Sequence, residues 1–124
     1  MRYLCFVKMD ESHANPPQAI MDAMGEHVGA SIADGSFVDG GGLYGAAEAV
    51  EFRVRAGTVT VTDGPYAEAK EVIGGWAIVK FDTEEQARAE GQAMADLHLN
   101  HWPGWEGAIE MRRIAEPDLA PQGS

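Results

Sequence analysis

The sequence contains a single cysteine, Cys5, so it cannot form an internal disulfide and its fold cannot depend on oxidation. It also contains few basic residues. There are nine Lys and Arg and twenty Asp and Glu, which gives a formal net charge of −11. Nucleic-acid binding requires a basic surface that releases counterions from phosphates. The charge balance therefore excludes DNA and RNA as direct partners and disfavours anionic membrane surfaces.

Long apolar runs are also missing. The N-terminal run is apolar for only four residues before Lys8, too few for a signal-peptide core or a membrane span. We therefore expect a cytoplasmic protein. Hydrophobic residues make up 45% of the 124 residues, which suits one domain with its own core.

Hydrophobic periodicity predicts strands and helices in the order strand, helix, several strands, helix, strand. The predicted elements are a strand over 2–9, a helix over 16–34, a strand from 37, a hairpin over 50–62, a strand over 73–81, a helix over 83–101 and a strand over 107–114. Asn15 is the predicted N-cap of the first helix, and Thr83 with Gln86 predicts a capping box on the second. Gly25 and Gly29 cost helix propensity, which predicts the close approach of another backbone.

This order is typical of an α+β fold, a ferredoxin-like antiparallel sheet with two helices on one face. The strands over 2–9 and 73–81 are apolar on both faces, as in strands that are covered on both sides. The chain has no element left for the second face, so we expect a homodimer in which a second copy covers it, a dimeric α/β barrel. The domain is predicted over 1–114, with a flexible tail over 115–124.

Two segments resemble a known family. Residues 63–76 read Asp-Gly-Pro-Tyr-Ala-Glu-Ala-Lys-Glu-Val-Ile-Gly-Gly-Trp and resemble the signature of YCII-related proteins of the DGPF type, with Tyr66 in place of the usual phenylalanine. Residues 97–106, followed by Glu110-Met111-Arg112, are similar to the end of one subgroup. With the opening strand and the glycine-rich second strand, the resemblance covers nearly all of residues 1–114.

The resemblance implies a dimeric ferredoxin-like barrel with a cleft on each protomer. Some relatives of this fold are small isomerases, dehalogenases or cofactor-free oxygenases, and some DGPF proteins are associated with alternative sigma factors. Other YCII proteins have a proposed His–Asp pair with the histidine on the first helix, where this sequence has His27. A shared fold does not by itself fix the chemistry.

Candidate chemistry begins with Asp63, at the end of a strand in a tight Gly-Pro turn. A carboxylate fixed there can act as a general base, or it can accept backbone N–H bonds and shape the turn. Glu68, Lys70 and Glu71 follow closely, either to orient a ligand or to form ordinary surface ion pairs.

His98 and His101 lie three residues apart near a helix end, a spacing that metal ligands often have. Only Glu106 is a nearby carboxylate and no cysteine accompanies them, so packing or helix capping is favoured over a metal site. An acid or base role stays open because imidazole titrates near neutral pH. Aromatic candidates for the walls of a pocket, or for plain core packing, are Tyr66, Trp76, Trp102 and Trp105.

The main hypothesis is a homodimer that binds a small aromatic or carboxylated metabolite and catalyses an acid/base step, without cofactor or metal. Asp63 and His98 are the predicted proton-transfer groups, and Tyr66, Lys70 and His101 the predicted ligand contacts. The alternative is a non-catalytic sensor or partner module that serves a transcription factor, with its acidic surface docking on a basic partner.

Cys5 lies mid-strand in apolar surroundings and is expected to be inert.

Overall fold

The computed structural model describes residues 1–13, 15–64 and 71–116. Its helices are α1, Gln18–Asp34, and α2, Glu84–His101, and its strands are β1, Arg2–Asp10; β2, Phe37–Gly42; β3, Val50–Arg55; β4, Thr58–Asp63; β5, Glu71–Lys80; and β6, Gly107–Arg113. Four strands form an antiparallel sheet in the order β2-β5-β1-β6, and β3 and β4 form a separate hairpin. The βαββαβ order of the sheet and helices, with the hairpin inserted before β5, confirms the predicted ferredoxin-like α+β fold.

The core lies between one face of the sheet and the two helices. In β1 the alternate residues Tyr3, Cys5 and Val7 are buried, and Tyr3 pairs across the sheet with Val79. These side chains pack with residues of α2, chiefly Met94, as the strand period of two requires. Both helices therefore cover the same face, as predicted.

The opposite face of the sheet is also apolar. Phe6 pairs with Trp76 and Leu4 with Ile78, and all four are half-buried on the side away from the helices. We call these four side chains the open sheet face. The predicted orientation of β5, with Trp76 and Ile78 on one side and Val79 on the other, is confirmed by this register.

The two helices begin differently. The Thr83 side chain accepts a bond from the Gln86 backbone and the Gln86 side chain accepts from the Thr83 backbone, so the capping box of α2 is confirmed. The prediction that Asn15 caps α1 is wrong, because α1 starts at Gln18 after an extended Pro17 that makes no side-chain cap. A residue before proline is disfavoured in the helical region, so Pro16 cannot open the helix.

Two further predictions for α1 are wrong. Gly25 and Gly29 are exposed, and a Cβ at either would meet nothing within 4 Å, so no other backbone of the described residues approaches them. Helical spacing places Ile32 on one stripe with Ile20 and Met24 and so predicts that it is buried, but it is 59% exposed. The helix does end at Asp34 as predicted, with Gly35 in the left-handed region at φ 83° as its C-cap.

The C-terminal segment is tied to β1 at its first described residues. The Arg2 guanidinium donates two hydrogen bonds of 2.6 Å to the Glu116 carboxylate, and this partner holds the pKa of Glu116 below its usual value. Residues 117–124, where most of the flexible tail was predicted, lie outside the described residues. Within the described ranges, neither helix is long and apolar enough to cross a membrane.

Candidate functional site

His98 is held in one tautomer near the C-terminal end of α2. The residue is 3% exposed, and its Nδ1 lies 2.8 Å from the carbonyl oxygen of Met94. A carbonyl only accepts hydrogen bonds, so Nδ1 must carry the proton. In the neutral ring, Nε2 is therefore the unprotonated nitrogen, able to accept a proton.

Aromatic rings surround this imidazole. The ring centroid of His98 lies 4.6 Å from that of Trp105 and 6.3 Å from that of Trp102, nearly parallel to the latter. His13, in a single 3-10 turn after β1, meets Trp102 edge-on at 6.1 Å. We call His13, His98, Trp102 and Trp105 the aromatic cluster. His98 and Trp102 are buried within it, whereas His13 and Trp105 are half-buried, so these two rings are the ones that can offer a face to a planar molecule.

The aromatic cluster lies at the end of the sheet where β5 begins. The Trp105 indole donates to Met9 Sδ at 3.4 Å, and Met9 pairs with Val72. The end of the Met9 side chain also occupies the space beside Gly74, where a Cβ would lie 2.0 Å from Cε. Met9 therefore bridges the aromatic cluster and β5, the strand that follows the family-like turn, a name we give to the turn that Asp63 and Gly64 begin.

The predicted site residues differ in where they lie and in whether the structure describes them. Asp63 is exposed at the end of β4, where it pairs with Val50 in the hairpin. Among the described residues no hydrogen bond or ion pair joins Asp63 to His98, so these two stay a predicted pair. His101 is half-buried as the last residue of α2. Tyr66 and Lys70 lie outside the described residues, and no metal-holding group of three or more His, Cys, Asp or Glu occurs in the described ranges.

A second polar pair joins the two helices, and its carboxylate partner, Glu90, was not predicted from the sequence. His27 Nε2 lies 2.9 and 3.0 Å from the two carboxylate oxygens of Glu90, with side chains 23% and 13% exposed. Glu90 also lines an open groove of about 600 Å³ between the end of α1, the end of β5 and the first half of α2. The available signal was a glutamate at helical spacing from Ala87 and Met94 on the buried side of α2.

The thiol of Cys5 is buried beneath these helices, 3% exposed. Burial raises its pKa to about 11, and the negative charge of Glu90 acts in the same direction. The thiolate, which is the nucleophile, is therefore scarce at neutral pH.

We expect Cys5 to stay unlabelled by a disulfide reagent such as Ellman's reagent in the native protein at about pH 8, and to react fully after unfolding. A Thr60→Cys variant, whose new thiol lies on the exposed hairpin, serves as the control and should take up one equivalent at once. One full equivalent of rapid labelling in the native wild type would contradict the burial of Cys5.

Comparison with known proteins adds one finding. A family model for the YCII-related domain matches residues 1–102. The matched segment runs from β1 to Trp102, just after the end of α2, and so includes His98 and the whole family-like turn. A search of curated proteins found no match to this chain.

Proposed function

The chain belongs to the YCII-related family, and we propose that it is a cleft-bearing homodimer that binds a small, flat metabolite against the aromatic cluster. The bound molecule, aromatic or carboxylated, undergoes an acid/base step that needs no cofactor, such as isomerisation or elimination. His98 and Asp63 are the proposed proton-transfer groups. Tyr66, Lys70 and His101 are the proposed ligand contacts.

The observation that carries this proposal is the state of His98. A general base needs a fixed orientation, an unprotonated nitrogen and a pKa near the working pH. The bond from Nδ1 to Met94 fixes the ring and, in the neutral imidazole, leaves Nε2 as the basic atom. Trp102 and Trp105 supply the apolar, planar walls that small-molecule sites favour.

The homodimer is supported by surface that the single chain leaves uncovered. This surface is the open sheet face, an apolar face that neither helix covers. Contact with a second copy removes such surface from water, and closed two-fold dimers are the commonest assembly of soluble chains.

A thermal-shift screen against aromatic acids, lactones and divalent metals tests the ligand site. A bound ligand stabilises the native state by RT ln(1 + [L]/Kd), about 2.7 kcal/mol at a hundredfold excess over Kd. We expect an organic ligand to raise the melting temperature of the wild type and of His27→Gln, but not of His98→Gln. An enzyme should also lose turnover, but not its fold, on Asp63→Asn.

Other results of the thermal-shift screen would contradict this site or favour a different function. A shift that His98→Gln retains would contradict a site at the aromatic cluster. A shift from zinc or nickel alone would indicate a metal site at His98 and His101. If no compound shifts the wild type, the partner-module alternative is favoured, and neutralising Glu84 and Glu85 should then weaken the capture of a basic partner protein.

A further inference from the structure

The hairpin of β3 and β4 has an apolar face that nothing in the described chain covers. Phe52 pairs with Val61 and Val54 with Val59, so these side chains share one face with Val50. Their exposed fractions are 48% for Val50, 65% for Phe52, 74% for Val54, 58% for Val59 and 55% for Val61. We call these five side chains the hairpin face.

An uncovered hairpin face of this size is costly. Single exposed hydrophobic residues are ordinary, but five adjacent ones form a patch on the order of 500 Å², as large as the largest patch on a typical monomer. A two-stranded hairpin alone is also marginally stable in water. No other described helix or strand packs extensively against β3 or β4. The described part of the chain therefore leaves the hairpin face open to contact with another molecule.

The charge of the hairpin favours a second copy of this chain as that molecule. Within residues 50–63, Glu51 and Asp63 balance Arg53 and Arg55, so the hairpin is neutral and the rest of the chain carries the whole −11. Two copies of so acidic a chain repel each other over most of their surfaces. The hairpin is the part that a second copy can approach with the least repulsion.

We propose that the hairpin face packs on the open sheet face of a second copy. This inference rests on the proposed homodimer and identifies the segment that joins its two chains. We call this segment, the hairpin of β3 and β4, the arm. A single two-fold rotation lays each hairpin on the other chain's sheet and covers both apolar surfaces at once. Two patches of this kind on each chain approach the roughly 800 Å² per partner that stable interfaces bury.

Sedimentation equilibrium of three proteins tests the arm. Phe52→Glu places a charge in the hairpin face, and Thr60→Glu, the matched control, places the same charge on the opposite side of the same hairpin. We expect Phe52→Glu to raise the dimer dissociation constant at least about 100-fold, whereas Thr60→Glu changes it less than about threefold.

Crosslinking identifies the surface that the arm contacts. Cys5 is buried, so a benzophenone maleimide will label Val54→Cys at the hairpin and leave Cys5 unmodified. In a mixture of light and isotopically heavy chains, we expect crosslinks from residue 54 to β1 and β5 of the other chain. Thr60→Cys, labelled on the opposite face, should give few or none.

The outcomes separate this inference from the proposed function. A wild type that is monomeric at micromolar concentration overturns both the dimer and the arm. A wild-type dimer that Phe52→Glu leaves intact, or that both variants weaken equally, overturns the arm alone. If Phe52→Glu fails to fold, the crosslinks decide: links only within one chain, or only to the other hairpin, contradict the proposed contact.

Discussion

Replacing Trp102 by alanine is expected to lower the free energy of unfolding by about 3–5 kcal/mol, the range for large buried aromatic side chains. Trp102 is 9% exposed, and its ring contacts those of both His13 and His98. Its backbone N–H also donates to the His98 carbonyl at 3.1 Å, which closes the last turn of α2. Removing the indole leaves a cavity beside His98 that the neighbouring rings can fill only in part. Chemical denaturation followed by circular dichroism measures the change.

Leu99→Ala, in the last turn of α2 just before Trp102, is the matched control. Leu99 is 77% exposed, so its truncation should change the free energy of unfolding by no more than about 0.5 kcal/mol. Equal losses in the two variants would mean that α2 is merely sensitive to substitution. A Trp102→Ala protein as stable as the wild type would contradict the packing of the aromatic cluster.

The sequence predicts the fold well where local signals and burial agree. Thr83 and Gln86 form a capping box whose two bonds both lie within one turn, and the predicted end of α2 at His101 is correct. The apolar residues on both faces of β1 and β5 likewise follow from a period of two, which the cross-strand pairs reproduce from Arg2 to Val7, before the register shifts at Lys8. In such cases no long-range contact is needed to choose the structure.

The predictions that are wrong concern residues whose conformation or burial depends on packing with distant parts of the chain, or on a second local preference that opposes the first. Asn15 satisfies the preference for an N-cap, but the restriction that Pro17 places on Pro16 overrides it. Gly25 was assigned a packing role from its helix propensity alone, yet the rest of the chain leaves that face of α1 exposed. Periodicity gives the stripe of a helix, but not how far the neighbouring elements cover it.

The candidate site likewise has features that the sequence predicts and features that it does not. The burial of His98 follows from its helical spacing to Ala87 and Met94, so the sequence predicts it. The contact between His27 and Glu90 depends on how α1 lies against α2, which neither helix encodes alone. The rings of Trp102 and Trp105 meet His98 only because the chain turns back after α2, a step that periodicity does not describe.

Substituting Gly64 by alanine is expected to destabilise the base of the hairpin by about 1–3 kcal/mol or more, as overpacking does. A Cβ at this position would lie 1.7 Å from the Ala46 carbonyl oxygen and 3.1 Å from that of Ala49. Both are backbone atoms, so no side-chain rotation relieves the clash. The Gly64 N–H also donates to the Ala49 carbonyl at 2.7 Å, which holds the two segments together. The close approach explains why a glycine stands in the family-like turn.

Gly45→Ala is the control, because Gly45 has a φ of −68° and an added Cβ there would meet nothing within 4 Å. Its stability should match the wild type within about 0.5 kcal/mol. In Gly64→Ala, hydrogen exchange should rise at the amides of β3 and β4 while the amides of α2 stay protected. Unchanged exchange would show that the backbone at Ala46 yields easily. If a ligand of the aromatic cluster binds Gly64→Ala more weakly although His98 remains buried, then the turn that carries Asp63 contributes to the site.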